Sequence, residues 1–305
     1  MRINICISAD ENYAEYLCVA MASVLKNAND SDELHFYILD GGINKYQKQC
    51  ICNLNKIKSF DIKFFNLVDS VYTKFPPMGH ITSSSYFRYA MGELFSDIDK
   101  IIYIDCDVLV VSSLAELYTI NIDDYYMAGV EDVGYVCHRK TEPKFRYKDI
   151  PYINSGVLLA NLDLWRKNNL KDALIKYTFE NADSLACVDQ DVINAVCHNK
   201  ILQIDYKWNV QDSFYRYDDE PADNINKDKI IEASRKPVII HFTGPRKPWN
   251  YKLDAHPKAH LYLKYLKLTD FKDSYKQLAL KAFMRFLAYA FINPSIAKKN
   301  VASFF

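Results

Sequence analysis

The first 105 residues alternate between short apolar segments typical of β-strands and longer segments whose apolar residues recur at helical spacing. The strand-like segments are Arg2–Ser8, Leu34–Leu39, Asp61–Leu67 and Lys100–Asp105, and the helix-like segments between them are Tyr13–Ala28, Asn44–Lys56 and Ser83–Leu94. A helix that connects two neighbouring strands brings the second strand in parallel to the first. We therefore predict an α/β fold with a mostly parallel sheet.

Similar signals continue as far as residue 241. The further predicted strands are Met127–Glu131, Gly156–Asn161 and Val238–His241, and the further predicted helices are Leu170–Glu180 and Asp189–His198. No segment rich in Gly, Ser or Pro divides these elements into two units. We therefore predict one domain over residues 1–255 and a helical appendage over residues 256–305.

The charges are balanced overall but not along the chain. The 38 basic residues equal the 38 acidic ones, yet residues 258–305 carry nine Lys/Arg against two Asp, a net charge of +7. The remaining −7 lies on the body, which therefore lacks the broad basic face that nucleic-acid binding needs. In the tail, Phe and Leu alternate with the basic residues. We expect an amphipathic helix that binds an anionic membrane surface, with packing on the body as the alternative.

The N-terminal apolar stretch is too short for a secretory signal before Asp10 and Glu11 interrupt it. No uncharged apolar run reaches the 18 residues of a membrane span. The eight cysteines stand mostly inside apolar runs, as expected for buried thiols in a reducing compartment. We expect a cytoplasmic protein that associates peripherally with the inner face of the cell membrane.

Two carboxylates, Asp105 and Asp107, directly follow the apolar strand Lys100–Ile104. A buried charge needs a partner, and carboxylate oxygens are ligands that suit Mn²⁺ or Mg²⁺. A cation carrying a diphosphate would satisfy both carboxylates. The alternative is a helix cap followed by a turn.

A second motif, His-Phe-Thr-Gly-Pro-Arg-Lys-Pro-Trp, begins at the end of the last predicted strand. His241 could complete the coordination of the cation, Gly244 would let the backbone approach an anion, and Lys247 would supply a point charge for a phosphate. A structural histidine at a strand end is the alternative. Because ligands of α/β sheets bind at the carboxyl ends of strands, we expect both motifs to meet there.

These motifs, with three others in the same order and spacing, resemble glycosyltransferase family 8. The matching segments are Ser8–Tyr13 with Tyr16–Ala20, Ile104–Asp107, Asn154–Val157, Asp189–Asp191 and His241–Trp249. Within the family the chain is most similar to bacterial lipooligosaccharide and lipopolysaccharide α-galactosyl- and glucosyltransferases. The resemblance covers residues 1–252 and stops before the basic tail.

The resemblance implies a nucleotide-sugar-binding, Rossmann-like fold of the GT-A type and Mn²⁺-dependent transfer of a hexose from a UDP-sugar with retention of configuration. The implied metal ligands are Asp105, Asp107 and His241. The implied uridine pocket is Asp10, Asn12 and Tyr13, and the implied diphosphate contacts are Gly244 and Lys247. The residues similar to those that hold the donor sugar are Arg88, Asn154, Asp189 and Gln190, and those facing the acceptor are His80 and Asp132. Of these, Gln190, Asp189 and Asp132 are the candidate catalytic residues.

The sequence therefore predicts a retaining transferase that moves glucose or galactose from a UDP-hexose to a lipid-linked oligosaccharide or other surface glycan. Retention favours attack from the face of the leaving group, because the Gln190 amide is a poor nucleophile and Asp189 is expected to bind sugar hydroxyls. A double displacement stays open. The alternative functions are a metal-dependent phosphohydrolase with Asp105 as nucleophile and a non-catalytic scaffold at the membrane.

Overall fold

A computed structural model of the chain describes residues 1–75, 83–134, 152–215, 226–244, 247–250, 256–271, 273–280 and 284. The strands are β1 (Arg2–Asp10), β2 (Glu33–Gly41), β3 (Phe60–Asn66), β4 (Lys100–Ile104), β5 (Val108–Val110), β6 (Met127–Glu131), β7 (Ile153–Asn161), β8 (Ile201–Gln203), β9 (Val210–Gln211) and β10 (Ile239–His241). The α-helices are α1 (Ala14–Asn27), α2 (Lys45–Cys52), α3 (Met91–Leu94), α4 (Ala115–Thr119), α5 (Leu162–Lys167), α6 (Leu170–Asn181), α7 (Val188–Cys197), α8 (Lys227–Arg235) and α9 (Ala259–Leu266).

Seven strands form one sheet in the order β3-β2-β1-β4-β7-β6-β8. Four of its pairings are parallel, and β7 is antiparallel to both of its neighbours, β4 and β6. The prediction of a mostly parallel α/β sheet is therefore confirmed. The last predicted strand does not join this sheet, because β10 pairs with β5 and β9 in a separate three-stranded sheet.

The predicted helix over Ser83–Leu94 begins differently from the sequence-based expectation. Its first part, Ser83–Ala90, is a 3₁₀ helix, and only Met91–Leu94 is α-helical. Serine has a low helix propensity, so the run of three serines disfavours a regular α-helix here. The Arg88 Nε also donates to the carbonyl oxygen of Ser85, 2.8 Å away, which holds the tighter turn.

The sheet order brings distant motifs to one edge. Because β7 is antiparallel to β4, the start of β7 lies beside the end of β4, and the Asp105 amide donates to the Gly156 carbonyl at 2.8 Å. The link from β4 to β5 carries Asp107 between the two sheets. There His241 pairs with Val108 across the small sheet. The aspartate motif, the start of β7 and the end of β10 therefore converge.

The first helix of the predicted tail packs on the body. Tyr262, Tyr265 and Leu266 on α9 are at most 2% exposed and belong to an apolar cluster shared with Val19 of α1. The Asn27 amide donates to the Tyr265 hydroxyl at 2.9 Å. For α9, the alternative that the tail packs on the body therefore holds, because its apolar face covers α1. Among the helices of the described ranges, none is long and apolar enough to cross a membrane.

We expect Leu266→Ala to lower the free energy of unfolding by about 2–5 kcal/mol, because it removes a fully buried side chain from this cluster. Urea denaturation measures the loss. The matched control is Leu263→Ala on the same helix, whose side chain is half-buried and should cost clearly less. Equal losses for the two variants would contradict the packing of α9 on α1.

Candidate active site

A cavity of about 330 Å³ opens at the edge of the sheet where the motifs converge. Eleven of the fourteen residues singled out from the sequence line it: Tyr13, Arg88, Asp105, Asp107, Asp132, Asn154, Asp189, Gln190, His241, Gly244 and Lys247. They come from the start of α1, the 3₁₀ helix Ser83–Ala90, the link from β4 to β5, the residue after β6, β7, the start of α7, and the end of β10 with the loop that follows it. The fold thus gathers into one cavity most of the side chains that the sequence motifs identified.

The other three predicted residues have different positions. Asp10 lies beside the cavity, and its Oδ1 accepts hydrogen bonds from the amides of Asn12 (2.9 Å) and Tyr13 (3.1 Å), which forms the turn into α1. Asn12 is exposed and, like Asp10, is not part of the cavity wall. His80 lies outside the described residues.

Tyr13 presents an aromatic wall to the cavity. Its ring meets the edge of Tyr16 at 5.4 Å between centroids, and Tyr16 in turn stacks on Trp249 at 3.7 Å. Burial, the largest influence, raises the pKa of Tyr13 to about 12, so the hydroxyl stays neutral. A neutral, supported ring of this kind offers a stacking surface to a flat ligand.

Asp105, Asp107 and His241 form a compact triad. The His241 Nε2 lies 3.1 Å from the Asp107 Oδ1 and 3.9 Å from the Asp105 Oδ2. Burial alone would raise the pKa of Asp107, but Lys247 and His241 hold it well below its ordinary value. Burial would likewise lower the pKa of His241, yet the two carboxylates raise it. The triad is therefore a focus of negative charge that attracts a proton or a cation.

The residues present fit a divalent cation. One ligand atom from each member of the triad lies within 4.8 Å of the others. The Asp107 Oδ1 is buried and accepts no hydrogen bond from any described residue, although the imidazole is so close. A Cβ on Gly156 would lie 2.2 Å from the His241 Cε1 and 2.6 Å from the Asp105 Oδ2, so glycine leaves the space between them open. Two carboxylate oxygens and an imidazole nitrogen form a donor set that suits Mn²⁺ or Mg²⁺.

The loop after β10 places a positive charge beside the triad. The Lys247 ammonium donates to the Asp107 Oδ2 at 2.5 Å and to the Phe242 carbonyl oxygen at 2.6 Å. Gly244 has a φ of +72°, a left-handed conformation that favours glycine, and a Cβ there would meet nothing within 4 Å. The backbone at Gly244 therefore faces open space next to Lys247, where an anion can approach.

Arg88 connects Asp105 of the triad with Asp189 on the opposite side of the cavity. The buried guanidinium contacts the Asp105 Oδ1 through Nη2 and the Asp189 Oδ2 through Nε, both at 3.1 Å. Its Nη1 donates to the Ser155 carbonyl oxygen, and the group stacks 4.2 Å above the centre of the Tyr103 ring. Arg88 therefore holds both carboxylates in place.

Burial raises the pKa of Asp189 to about 6, even though Arg88 opposes the shift. In the unfolded chain this carboxyl titrates near 4, so the folded state binds the extra proton between these values. The protonation of Asp189 therefore adds to the free energy of unfolding in full below about pH 4, and this contribution is lost as pH rises to about 6.

We accordingly expect Asp189→Asn to flatten the pH dependence of the unfolding free energy over this window, by about 3 kcal/mol relative to the unmodified metal-free protein. Urea midpoints at several pH values measure it. The exposed Asp163, which pairs with Lys167 on the surface, provides the control substitution Asp163→Asn. Parallel pH curves for all three proteins would contradict the prediction.

A cluster of side-chain amides lies opposite the triad. The Gln190 Oε1 accepts from the Asn154 Nδ2 at 3.1 Å and from the Ser155 amide at 3.0 Å. Its Nε2 donates to the Asp132 Oδ2 at 2.9 Å. Gln190 and Asp132, both candidate catalytic residues, are thus directly hydrogen-bonded, and the Gln190 carbonyl is engaged by two donors.

Two positions that shape the candidate site carry no sequence signal for that role. Gly156 lies in the segment Asn154–Val157, but the need for glycine there arises only from His241 and Asp105 on other elements. Asn209 had no signal at all. It is fully buried and its Oδ1 lies 2.9 Å from the His241 Nδ1. No spacing rule points to such a residue, since it approaches the site from the turn between the 3₁₀ helix Tyr206–Trp208 and β9.

A mostly parallel α/β sheet with paired aspartates and a histidine in a cavity at one edge is the arrangement of GT-A glycosyltransferases. The sequence model of glycosyl transferase family 8 matches residues 4–253. The chain therefore belongs to this family, and the predicted membership is confirmed.

Curated relatives and solved structures agree with this assignment. General stress protein A of Bacillus subtilis is 30% identical over 265 residues, which cover 86% of this chain and 92% of that protein. The lipopolysaccharide 1,3-galactosyltransferase of Salmonella typhimurium is 28% identical, with coverage of 86% and 77%. The crystal structure of the galactosyltransferase LgtC with donor and acceptor sugar analogues superimposes with a TM-score of 0.77 at 27% identity, covering 88% of this chain and 96% of LgtC. The predicted GT-A type fold is thereby confirmed.

Proposed function

We propose that this glycosyltransferase moves galactose or glucose from a UDP-sugar to a surface glycan, with retention of configuration and with Mn²⁺ as its metal. One observation carries the proposal. The triad of Asp105, Asp107 and His241 lies in the same cavity as the Asp189 and Gln190 cluster. A site for a cation beside a site for hydroxyl groups is what a nucleotide-sugar donor requires. Family membership favours a transferase over the phosphohydrolase alternative.

Each end of the cavity has a task in this proposal. Tyr13 stacks on the uracil, with the Asp10 turn and Asn12 beside it, while Gly244 and Lys247 contact the diphosphate. Asp105, Asp107 and His241 would hold a divalent cation, which would supply positive charge where the leaving UDP becomes more negative. Lys247 adds a second, fixed charge there, and such preorganised charge lowers the barrier because it needs no rearrangement during the reaction.

The sugar would lie against the amide and carboxylate cluster. Arg88 and Ser155 hold the Asp189 carboxylate, so that it can accept hydrogen bonds from sugar hydroxyls. The Gln190 carbonyl oxygen is occupied by two donors, which favours attack of the acceptor from the face of the leaving group over a nucleophilic role for this amide. Asp132, hydrogen-bonded to the Gln190 amide, would face the acceptor. His80 is proposed for the acceptor side on the family resemblance alone.

The test is a donor screen. UDP release from a panel of UDP-sugars, with and without Mn²⁺ and a lipooligosaccharide acceptor, should single out UDP-galactose or UDP-glucose, and NMR of the product should show an α-linkage. A β-linked product would contradict retention. Release of phosphate from simple phosphomonoesters would favour the phosphohydrolase. Failure of UDP and Mn²⁺ to raise the melting temperature would favour the non-catalytic scaffold.

We further propose that residues 1–255 carry the chemistry and that the remaining chain brings it to a lipid-linked acceptor at the membrane. The Salmonella typhimurium relative, named for lipopolysaccharide, supports an acceptor of this kind. In the helical stretch 273–280 the buried Leu278 faces the body, whereas Leu280 is 62% exposed, and Met284 is 58% exposed. Lys276 adds an exposed basic side chain, which pairs with Asp273 at 3.5 Å. Exposed apolar and basic side chains in one segment favour binding to anionic bilayers.

Sedimentation with anionic vesicles at low salt tests the membrane proposal. The double substitution Leu280→Glu with Met284→Glu should abolish co-sedimentation and leave UDP binding unchanged. Tyr46→Glu, which alters an equally exposed apolar side chain on α2, is the control and should still sediment. If the intact chain ignores such vesicles, the membrane proposal is wrong.

A further inference from the structure

Asn209 links the triad to the sugar side of the cavity. Its Oδ1 lies 2.9 Å from the His241 Nδ1, and its Nδ2 donates to the Asn154 Oδ1 at 2.9 Å. Asn154 continues to Gln190, which continues to Asp132, at 3.1 and 2.9 Å. Four side-chain hydrogen bonds thus connect a candidate metal ligand with a candidate catalytic carboxylate.

The direction of this chain of hydrogen bonds is fixed by the backbone of β7. The Gly156 amide donates to the Asn154 Oδ1 at 3.0 Å, and the Ser155 amide donates to the Gln190 Oε1 at 3.0 Å. A backbone N–H can only donate, so both of these side-chain atoms must be carbonyl oxygens. The backbone N–H groups of β7 therefore fix the amide orientations of Asn154 and Gln190.

The remaining orientations follow one from another. Because the Asn154 carbonyl faces Asn209, Asn209 must turn its NH₂ group toward it. The carbonyl of Asn209 then faces His241, and the Nδ1 of that ring must carry a proton to donate. The neutral ring is left with its lone pair on Nε2, the atom that faces Asp105 and Asp107.

We propose that Asn209 is a positioning residue. It fixes the ring orientation and the tautomer of His241 so that Nε2 can bind a divalent cation, and it ties that state to the orientation of Asn154 and Gln190 on the sugar side. The inference deepens the proposed metal-dependent transfer and rests on it. Partners of this kind behind a metal-ligating histidine typically contribute 10- to 100-fold to metal affinity.

Two substitutions separate the two tasks of Asn209. Asn209→Leu keeps the shape but removes both hydrogen bonds, so Mn²⁺ affinity, measured by electron paramagnetic resonance of the free ion, should fall about 10- to 100-fold. Asn209→Asp keeps an acceptor for His241 but sets an oxygen against the Asn154 carbonyl. We expect Mn²⁺ affinity within about 3-fold of the unmodified protein, and kcat for transfer lowered at least about 10-fold.

The control is Asn4→Leu on β1, which removes another buried amide, one that donates to the Tyr118 hydroxyl at 2.9 Å. It should lower stability without changing Mn²⁺ affinity. A folded Asn209→Leu variant with unchanged Mn²⁺ affinity would overturn the proposal. So would equal losses of Mn²⁺ affinity and kcat in Asn209→Asp.

Nitrogen-15 NMR of the neutral His241 ring in the metal-free protein provides a readout that needs neither cation nor activity. The expected spectrum has a protonated Nδ1 and an unprotonated Nε2, and Asn209→Leu should change the ratio of the tautomers. A protonated Nε2 in the unmodified protein would overturn the proposal. The expected tautomer without Mn²⁺ binding would instead contradict the proposed function and leave the tautomer assignment standing.

Discussion

His241→Ala is expected to reduce hexose transfer at least about 10³-fold while the protein remains folded, a loss of about 4 kcal/mol of transition-state stabilisation. The imidazole is the triad's only nitrogen ligand and lies between Asp105 and Asp107. Without it, two partly buried carboxylates would have to hold the cation alone. Single-turnover kinetics at saturating donor, together with Mn²⁺ titration, measure the effect.

A second histidine that contacts a carboxylate provides the control for this substitution. On β2, the His35 Nδ1 lies 3.1 Å from the Asp61 Oδ2, far from the cavity. His35→Ala should leave both transfer and Mn²⁺ affinity unchanged. The metal assignment fails if His241→Ala retains near-normal turnover, or if the unmodified protein transfers sugar with the metal chelated.

Gly156→Ala is expected to lower transfer at least about 10²-fold through a single methyl group. That group would lie 2.2 Å from the His241 Cε1 and 2.6 Å from the Asp105 Oδ2, closer than any real contact. One or both ligands must move out of the triad, and overpacking of this kind also costs about 1–3 kcal/mol of stability. Mn²⁺ affinity should therefore fall together with turnover, as calorimetric titration can show.

Gly42→Ala separates metal loss from simple destabilisation. Gly42 has a φ of +110°, and its added Cβ would meet only the Val68 Cγ2 at 3.7 Å. The substitution should cost about 1–3 kcal/mol of backbone strain without affecting Mn²⁺. Comparable Mn²⁺ affinities for the two glycine variants would show that Gly156 does not shape the cation site.

Much of the site was predictable because chemistry-bearing residues follow apolar strands. The run Lys100–Ile104 indicated a buried strand, and β4 is that strand. Two aspartates at the end of such a strand need a positively charged partner, either a cation or a basic side chain. His241, at the end of the last predicted strand, and the family resemblance supplied a third candidate ligand, and the fold brought it within 4.8 Å of the other two.

The apolar spacing in the tail predicts the buried face of a helix but not what covers that face. The spacing of Tyr262, Tyr265 and Leu266 determined that one face of this helix is apolar. It did not determine whether protein or lipid covers that face, because both offer the same apolar environment. Only the position of α1 in the folded chain decided it, and α9 packs on protein.

The roles of residues that contact distant parts of the chain are visible only in the tertiary structure. The sequence determined the periodicities, and hence the α/β class, and it determined which carboxylates and which histidine follow strands. It contained no sign that Asn209 would lie 2.9 Å from the ring of His241 or that Gly156 would be too close to it for a Cβ. The physical reason is that periodicity reports on which face of an element is buried, whereas hydrogen-bond direction and close approach depend on atoms from other strands.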